Sequence, residues 1–197
     1  MYALVTYFGG PRSPEVLASY ERADRERVRT TDLRTGRWEF RTTLSSAGFA
    51  VRNFGLKTVH GQVPIREASV VVARDGDITA VRAGLDLAGI DTGNSRRDTD
   101  LRKPHLLGTV KYPDLTFTAR TVERIGDGWR VLGDIEACGA RTPVALHAIV
   151  TGHAGSPDLT VHASAEFDRR ALGIRAPRVL IGRRIRVSID AVFTPAD

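Results

Sequence analysis

The sequence predicts a mainly β, antiparallel fold of roughly eight strands, and three observations carry that prediction. Apolar residues recur with period two over most of the chain beyond Arg37, the spacing that puts alternate side chains on opposite faces of a strand. Turn-forming clusters, Asp75-Gly76-Asp77, Gly126-Asp127-Gly128, Gly139-Ala140-Arg141 and Gly155-Ser156-Pro157-Asp158, punctuate these runs. A chain of 197 residues with 42% hydrophobic and 26% charged residues is ordinary globular material, long enough to enclose one core.

Residues 1–36 read as an N-terminal extension and residues 37–197 as the β domain. In the extension Ser13-Pro14-Glu15 is a helix start: serine caps, proline suits the first helical position and glutamate meets the dipole. Val16, Leu17 and Tyr20 share one helical face, so the segment is a short amphipathic helix or a loose tail. In the domain, Trp38, Phe40 and Leu44 alternate with Arg37, Glu39, Arg41 and Thr43. Val59, Val63 and Ile65 alternate with Thr58, His60 and Gln62. One helical interruption spans Asn94 to Lys103, capped by Asn94 or Ser95 and ended by Pro104. Leu159, Val161, Ala163, Ala165 and Phe167 then alternate with polar neighbours, as do Ile185, Val187, Ile189, Ala191 and Phe193. Each such strand has one dry face. Eight strands are about the number whose closed barrel holds one small ligand, although a two-sheet sandwich gives the same alternation.

The formal charge is +6, and only Lys57, Lys103 and Lys111 are lysines among 29 basic residues. Most arginines stand beside acidic neighbours, the pattern of a solvated surface. Cys138 is the only cysteine, which excludes an intrachain disulfide. The run from Met1 to Pro11 lacks a basic start and a long apolar core, and no later run reaches the length of a membrane span. The expectation is a cytoplasmic protein with no stable membrane insertion.

No chemistry stands out. The histidines (60, 105, 147, 153 and 162) form no short-spaced ligand pair, no nucleophile elbow or phosphate-cradling glycine motif occurs, and neither a metal nor a cofactor is expected. Asp91, Arg97, Asp98 and Arg102 cluster in sequence, with ion pairs and caps that pin the helix to the barrel as their expected role. Arg175, Arg178, Arg183, Arg184 and Arg186 form a basic run, but the phenylalanines fall on dry faces instead of offering stacking platforms, so no nucleic acid is expected.

Four ordered blocks resemble the YceI-like family. They are Leu44-Ser45-Ser46-Ala47-Gly48-Phe49-Ala50-Val51-Arg52-Asn53-Phe54-Gly55 with Val59-His60-Gly61-Gln62-Val63; Ile90 through Thr118, including Lys111-Tyr112-Pro113-Asp114; Gly139-Ala140-Arg141-Thr142-Pro143-Val144; and Phe167-Asp168-Arg169-Arg170-Ala171-Leu172-Gly173-Ile174. The chain departs from the pattern at Leu44 and Asn53, where the family usually carries histidine, at His105-Leu106, and in lacking an export signal. The resemblance implies a lipocalin-like eight-stranded antiparallel barrel that binds polyisoprenoid or related lipids without catalysis, and it allows a homodimer. Alternation and the resemblance together nominate Phe49, Val51, Ile90, Leu106, Leu107, Phe117, Leu146, Phe167 and Ile174 as ligand-binding. Two other readings are an enzyme acting on a hydrophobic substrate, using Asp91, Arg97, Asp98 or His105, and an interaction module docked through the extension or the arginine run.

Overall fold

The computed structural model describes residues 33–53, 57–152, 157–176 and 181–196; the helix expected from Ser13 lies outside them. Ten antiparallel strands make one sheet: β1 (Gly36–Phe40), β2 (Ser46–Asn53), β3 (Lys57–Val63), β4 (Ile65–Val72), β5 (Ile78–Asp86), β6 (Asp114–Ile125), β7 (Gly128–Ala137), β8 (Ala140–Gly152), β9 (Leu159–Asp168) and β10 (Ile181–Pro195).

Four of the ten are halves of longer strands. A 3-10 turn at Thr42–Leu44 bends β1 into β2, and both halves pair with β10. Pro64, which has no N–H to give a ladder, separates β3 from β4, and these pair with β2 and β1 respectively. Eight strands therefore run up and down, and β10 closes the barrel by pairing with β9 on one edge and with β1 and β2 on the other. The free edge of β3 is covered in part by Asp91, which exchanges two main-chain hydrogen bonds with Gln62. Closure leaves little edge for another chain to extend.

The connections β4–β5, β6–β7 and β8–β9 lie at one end, the turn end. At the other, the helix end, β5 leads through a 3-10 turn (Leu87–Gly89) and the helix α1 (Ser95–Leu101) to β6, and a third 3-10 turn (Arg169–Leu172) follows β9. The β7–β8 connection is two residues, Cys138 at φ +54° and Gly139 at φ +75°, the double left-handed geometry of a type I′ hairpin. Glycine accepts that conformation freely, whereas Cys138 is the single described non-glycine residue at positive φ.

Inward alternation survives the irregularities because the irregularities correct it. On β6, Leu115, Phe117 and Ala119 face inward, and a bulge between Ala119 and Thr121 hands the phase to Val122, which pairs with inward Val131. Opposite Ala119 and diagonal to Phe117, β7 carries Gly133, where a Cβ would lie 2.4 Å from the Thr118 carbonyl oxygen and 2.6 Å from the Phe117 ring. The ring occupies the volume that a side chain would claim. Phe49 lies over Gly61 in the same way, 2.4 Å from a Cβ built there.

Two expectations are corrected. Leu44 is not on a dry strand face: it belongs to the 3-10 turn and is 57% exposed. Its neighbour Ser45 fixes the bend, donating to the Arg41 carbonyl at 2.7 Å and accepting from the Val192 N–H at 3.0 Å. The helix is shorter than residues 94–103, ending at Leu101. Asn94 caps it from outside by accepting from the Arg97 N–H at 3.0 Å, and a tighter turn from Lys103 N–H to the Asp100 carbonyl follows.

Gly133→Ala is expected to lower the unfolding free energy by about 1–3 kcal/mol, as overpacking does, through a reduced urea midpoint at unchanged slope. An unchanged midpoint would mean that the β6–β7 pair yields without cost.

Candidate functional site

The barrel interior is one apolar core with a cavity of about 260 Å³ along its lumen. Every residue nominated for ligand contact lines it. Phe49 and Val51 come from β2, Phe117 from β6, Leu146 from β8 and Phe167 from β9, all on inward phases. Ile90, Leu106 and Leu107 come from the irregular cover around α1, and Ile174 from the segment after β9.

The lumen exists because some inward positions are small. Ala68 on β4 pairs with Ala83 on β5, and Ala148 on β8 pairs with Ala163 on β9, with Ala165 two residues further along. All five line the cavity. Large residues fill the ends instead. Trp38 and Trp129 are buried at the turn end with Leu33, Val72 and Val150; Leu87, Ile90, Leu107, Leu172 and Ile174 are buried at the helix end. The Trp38 indole N–H is satisfied by the Arg34 carbonyl at 3.0 Å, so the plug carries no stranded donor.

Side chains reaching for main chain hold the helix-end cover in place. Asp98, buried, accepts from the Thr92 N–H at 3.1 Å and the Thr92 hydroxyl at 2.5 Å. The same hydroxyl accepts from Arg97 Nε at 2.7 Å, while Arg97 Nη2 donates to the Thr92 carbonyl at 2.8 Å. Arg102 reaches back to the Ala88 and Ile90 carbonyls at 2.8 and 3.0 Å. Asp91 accepts from the Gly93 N–H at 2.7 Å. The expected pinning of helix to barrel is thus made through charge-assisted hydrogen bonds to Thr92 and main chain, since these acids and bases face a loop whose N–H and C=O groups have no ladder partner. His105 is exposed, and no hydrogen bond among the described residues joins it to this cluster.

Arg169 was not nominated by sequence reading, although the period-two phase of Leu159 to Phe167 points it inward. It is 2% exposed and lines the cavity, and its guanidinium donates to the carbonyls of Ile174, Ala176, Ile181 and Gly182 at 2.6–3.0 Å. Burial pulls its pKa down, and neighbouring Asp168 opposes that pull. The planar fork ties the segment after β9 to the start of β10.

The outer face carries the charge. Asp168 binds Arg170 and Arg183, and Glu166 binds Arg184 and Arg186 across β9 and β10. Three arginines of the basic run are therefore engaged along the strands. The hydrogen bond from Arg184 holds Glu166 below its ordinary 4.5, against a smaller opposing effect of burial. The Arg170 main-chain N–H does the same for Asp168, below its ordinary 3.8. Burial pushes the Cys138 thiol up to about 11, which keeps it protonated and a poor nucleophile.

Arg169→Met should cost about 3 kcal/mol or more, because four carbonyls lose a charged donor in a buried site; urea unfolding measures it, and a loss below about 1 kcal/mol would mean that water replaces the fork. A depressed carboxylate pKa gives stability that is complete above the unfolded value and lost as pH falls through the folded one. The urea midpoint should therefore hold from about pH 7 to 5 and fall below that, with Glu166→Gln flattening part of the fall. An unaltered pH profile for the variant would assign the acid loss elsewhere.

Comparison with known proteins agrees with this geometry. The family model described as the YceI-like domain matches residues 38–193. Protein YceI of Escherichia coli O157:H7 is 35% identical over 77 residues, 39% of this chain and 40% of that protein. The UPF0312 protein plu2095 of Photorhabdus laumondii is 28% identical over 111 residues, 56% of this chain and 58% of the relative. The matched stretches thus span 40% and 58% of these curated relatives, less than two thirds of either. Among solved structures, Burkholderia cenocepacia BcnA superposes with a TM-score of 0.71 at 14% identity, covering 78% of this chain and 98% of its own. A polyisoprenoid binding domain from Saccharophagus degradans, implicated in plant cell wall breakdown, superposes with a TM-score of 0.62 at 14% identity, covering 81% and 98%. With a family match across nearly the whole described barrel and the same fold in these structures, the chain belongs to the YceI-like domain family.

Proposed function

We propose that the barrel is a non-catalytic carrier or store for a long apolar lipid of isoprenoid type, held in the lumen. The observation that carries this reading is a cavity walled almost entirely by hydrocarbon side chains, from the tryptophans of the turn end to Leu107 and Ile174 at the helix end. Such a wall recognises hydrocarbon by removing it from water, at roughly 0.8 kcal/mol per buried methylene. The branched methyls of an isoprenoid suit the uneven surface that alternating alanines and phenylalanines make. The polyisoprenoid-binding relative supports the same ligand class.

A catalytic role would need a reactive group presented to the cargo. Of the polar residues lining the cavity, Arg169 spends its donors on four carbonyls, Cys138 stays protonated and Arg82 is exposed. Asp98 is occupied by Thr92. These arrangements favour containment over turnover.

Native mass spectrometry of the protein incubated with an isoprenoid alcohol is expected to show a one-to-one complex, with the lipid released on denaturation. Ala163→Leu and Ala165→Phe should lower that affinity at least about tenfold while changing stability by less than about 1 kcal/mol, because they fill space already empty. A parent protein that never takes up isoprenoid, or filled variants that load as well as the parent, would defeat the lumen reading.

A further inference from the structure

The two ends of the barrel differ in charge. At the turn end acids and bases intermingle: Asp75, Asp77 and Glu123 stand near Arg74 and Arg124 in the hairpins. At the helix end most acids are engaged with bases, while the exposed Asp91 accepts the Gly93 N–H. Asp86 and Asp114 hold Arg66, Glu136 holds Arg141, Asp100 holds Lys103, Asp168 holds Arg170 and Arg183, and Asp98 is buried. Arg52 at the end of β2, Lys57 at the start of β3 and Arg175 before β10 are exposed, and none has a carboxylate partner among the described residues. Lys111, also exposed, rests over the Tyr112 ring, 5.1 Å from its centre. All three lysines of the chain stand at this end.

An apolar side chain is also held out at this end. Val110 is 98% exposed beside Lys111, yet it sits on a fixed turn: the N–H groups of Lys111 and Tyr112 both donate to the Gly108 carbonyl at 2.9 Å, and Gly108 takes φ +60°. Its neighbours Leu107 and Thr109 are buried, so the turn is anchored from below. A rigid apolar knob beside Lys111, on an end that also carries the exposed cations Arg52, Lys57 and Arg175, fits an anionic headgroup layer, with the cations meeting phosphate and the valine reaching toward the acyl boundary. Nucleic acid fits less well, because a stacking platform is lacking among the described residues of this end, where Tyr112 is already covered by Lys111 and packed on Gly139.

Cargo transfer also points to this end. The turn end is closed by buried tryptophans and laddered strands, whereas the helix-end cover is built from 3-10 turns and a seven-residue helix held by side-chain hydrogen bonds. Ladders are costlier to open than such segments.

We propose that the helix end is a docking surface for bilayers rich in anionic lipid, through Val110 and the exposed cations Arg52, Lys57, Lys111 and Arg175 of that end, and that cargo enters and leaves there; this last step rests on the carrier reading, while the docking does not.

The test is flotation of the full chain with phosphatidylcholine vesicles, with and without phosphatidylglycerol, beside separate loading with isoprenoid alcohol from detergent. Binding is expected only with phosphatidylglycerol, weakening as salt rises. Lys57→Glu and Lys111→Glu should each reduce it about fivefold or more and Val110→Asp comparably, with Arg124→Glu at the turn end causing no more than the general effect of one charge reversal on net charge. Equal effects from both ends, no preference for phosphatidylglycerol, or tighter retention of single-stranded DNA than of vesicles would overturn the docking proposal. Normal loading in a protein that ignores vesicles would sink docking alone; vesicle binding by a protein that never loads would sink the carrier reading alone.

Discussion

Pairing of β10 on both edges is the constraint on which the rest of the molecule depends. Along fifteen residues this strand is bonded to β9 on one side and to β2 and then β1 on the other. An open sheet with the same alternation would bury its dry face only against a second layer. Closed on itself, the sheet makes every dry face confront another across a common axis, and the interior becomes a lumen. The bends at Thr42–Leu44 and Pro64 are the local cost of that closure: they let two strands serve as four segments and follow the curve. The bulge on β6 keeps the inward phase through the same curvature.

A closed barrel must still manage the chain that crosses its end. The cover between β5 and β6 and the segment after β9 have backbone groups with few strands to pair with, and leaving such groups dry is expensive. Charged side chains solve this, with Arg102 and Arg169 donating to carbonyls and Asp86, Asp91 and Asp98 accepting N–H groups. Arg169 carries the heaviest share, because it does so beside the lumen itself. Polarity is thereby turned outward into backbone, and the space left inside is hydrocarbon.

Much of this was legible in the sequence, for a physical reason. Period two is a direct consequence of strand geometry, so Leu159 to Phe167 and Ile185 to Phe193 declare both the element and its inward phase. The Asn94 cap and the Gly126 and Gly139 turns are equally local. The bend at Leu44 was hidden because alternation continues through it on paper, while the hydrogen bonds that break it come from Ser45 and distant Val192. The pinning role of Asp98 and Arg102 was legible, but not their partners, since those lie on a loop whose path is set by tertiary packing. Arg169 escaped because arginine is read as surface by composition; its phase said otherwise, and phase was the better guide. Alanine is silent in a hydropathy pattern, so the cavity, which Ala68, Ala83, Ala148 and Ala163 create, could be expected in kind but not located.

The same wall residues bear on selectivity. A lumen bounded by hydrocarbon measures length and girth, because each further methylene gains contact only until the tryptophans stop it. It has little means of reading a headgroup inside, for the one buried charge on its wall is committed to carbonyls. A polar terminus on the proposed cargo is best accommodated where backbone irregularity and exposed cations already lie, at the helix end. On the carrier proposal the hydrocarbon would be gripped by shape and the head left in a basic, wet environment, with chain length and head charge read at opposite ends of the tube. On that proposal the tryptophans would set the first and the exposed lysines and arginines of the helix end the second, and substitutions at one end need not disturb the other because the two lie at opposite ends of the strands.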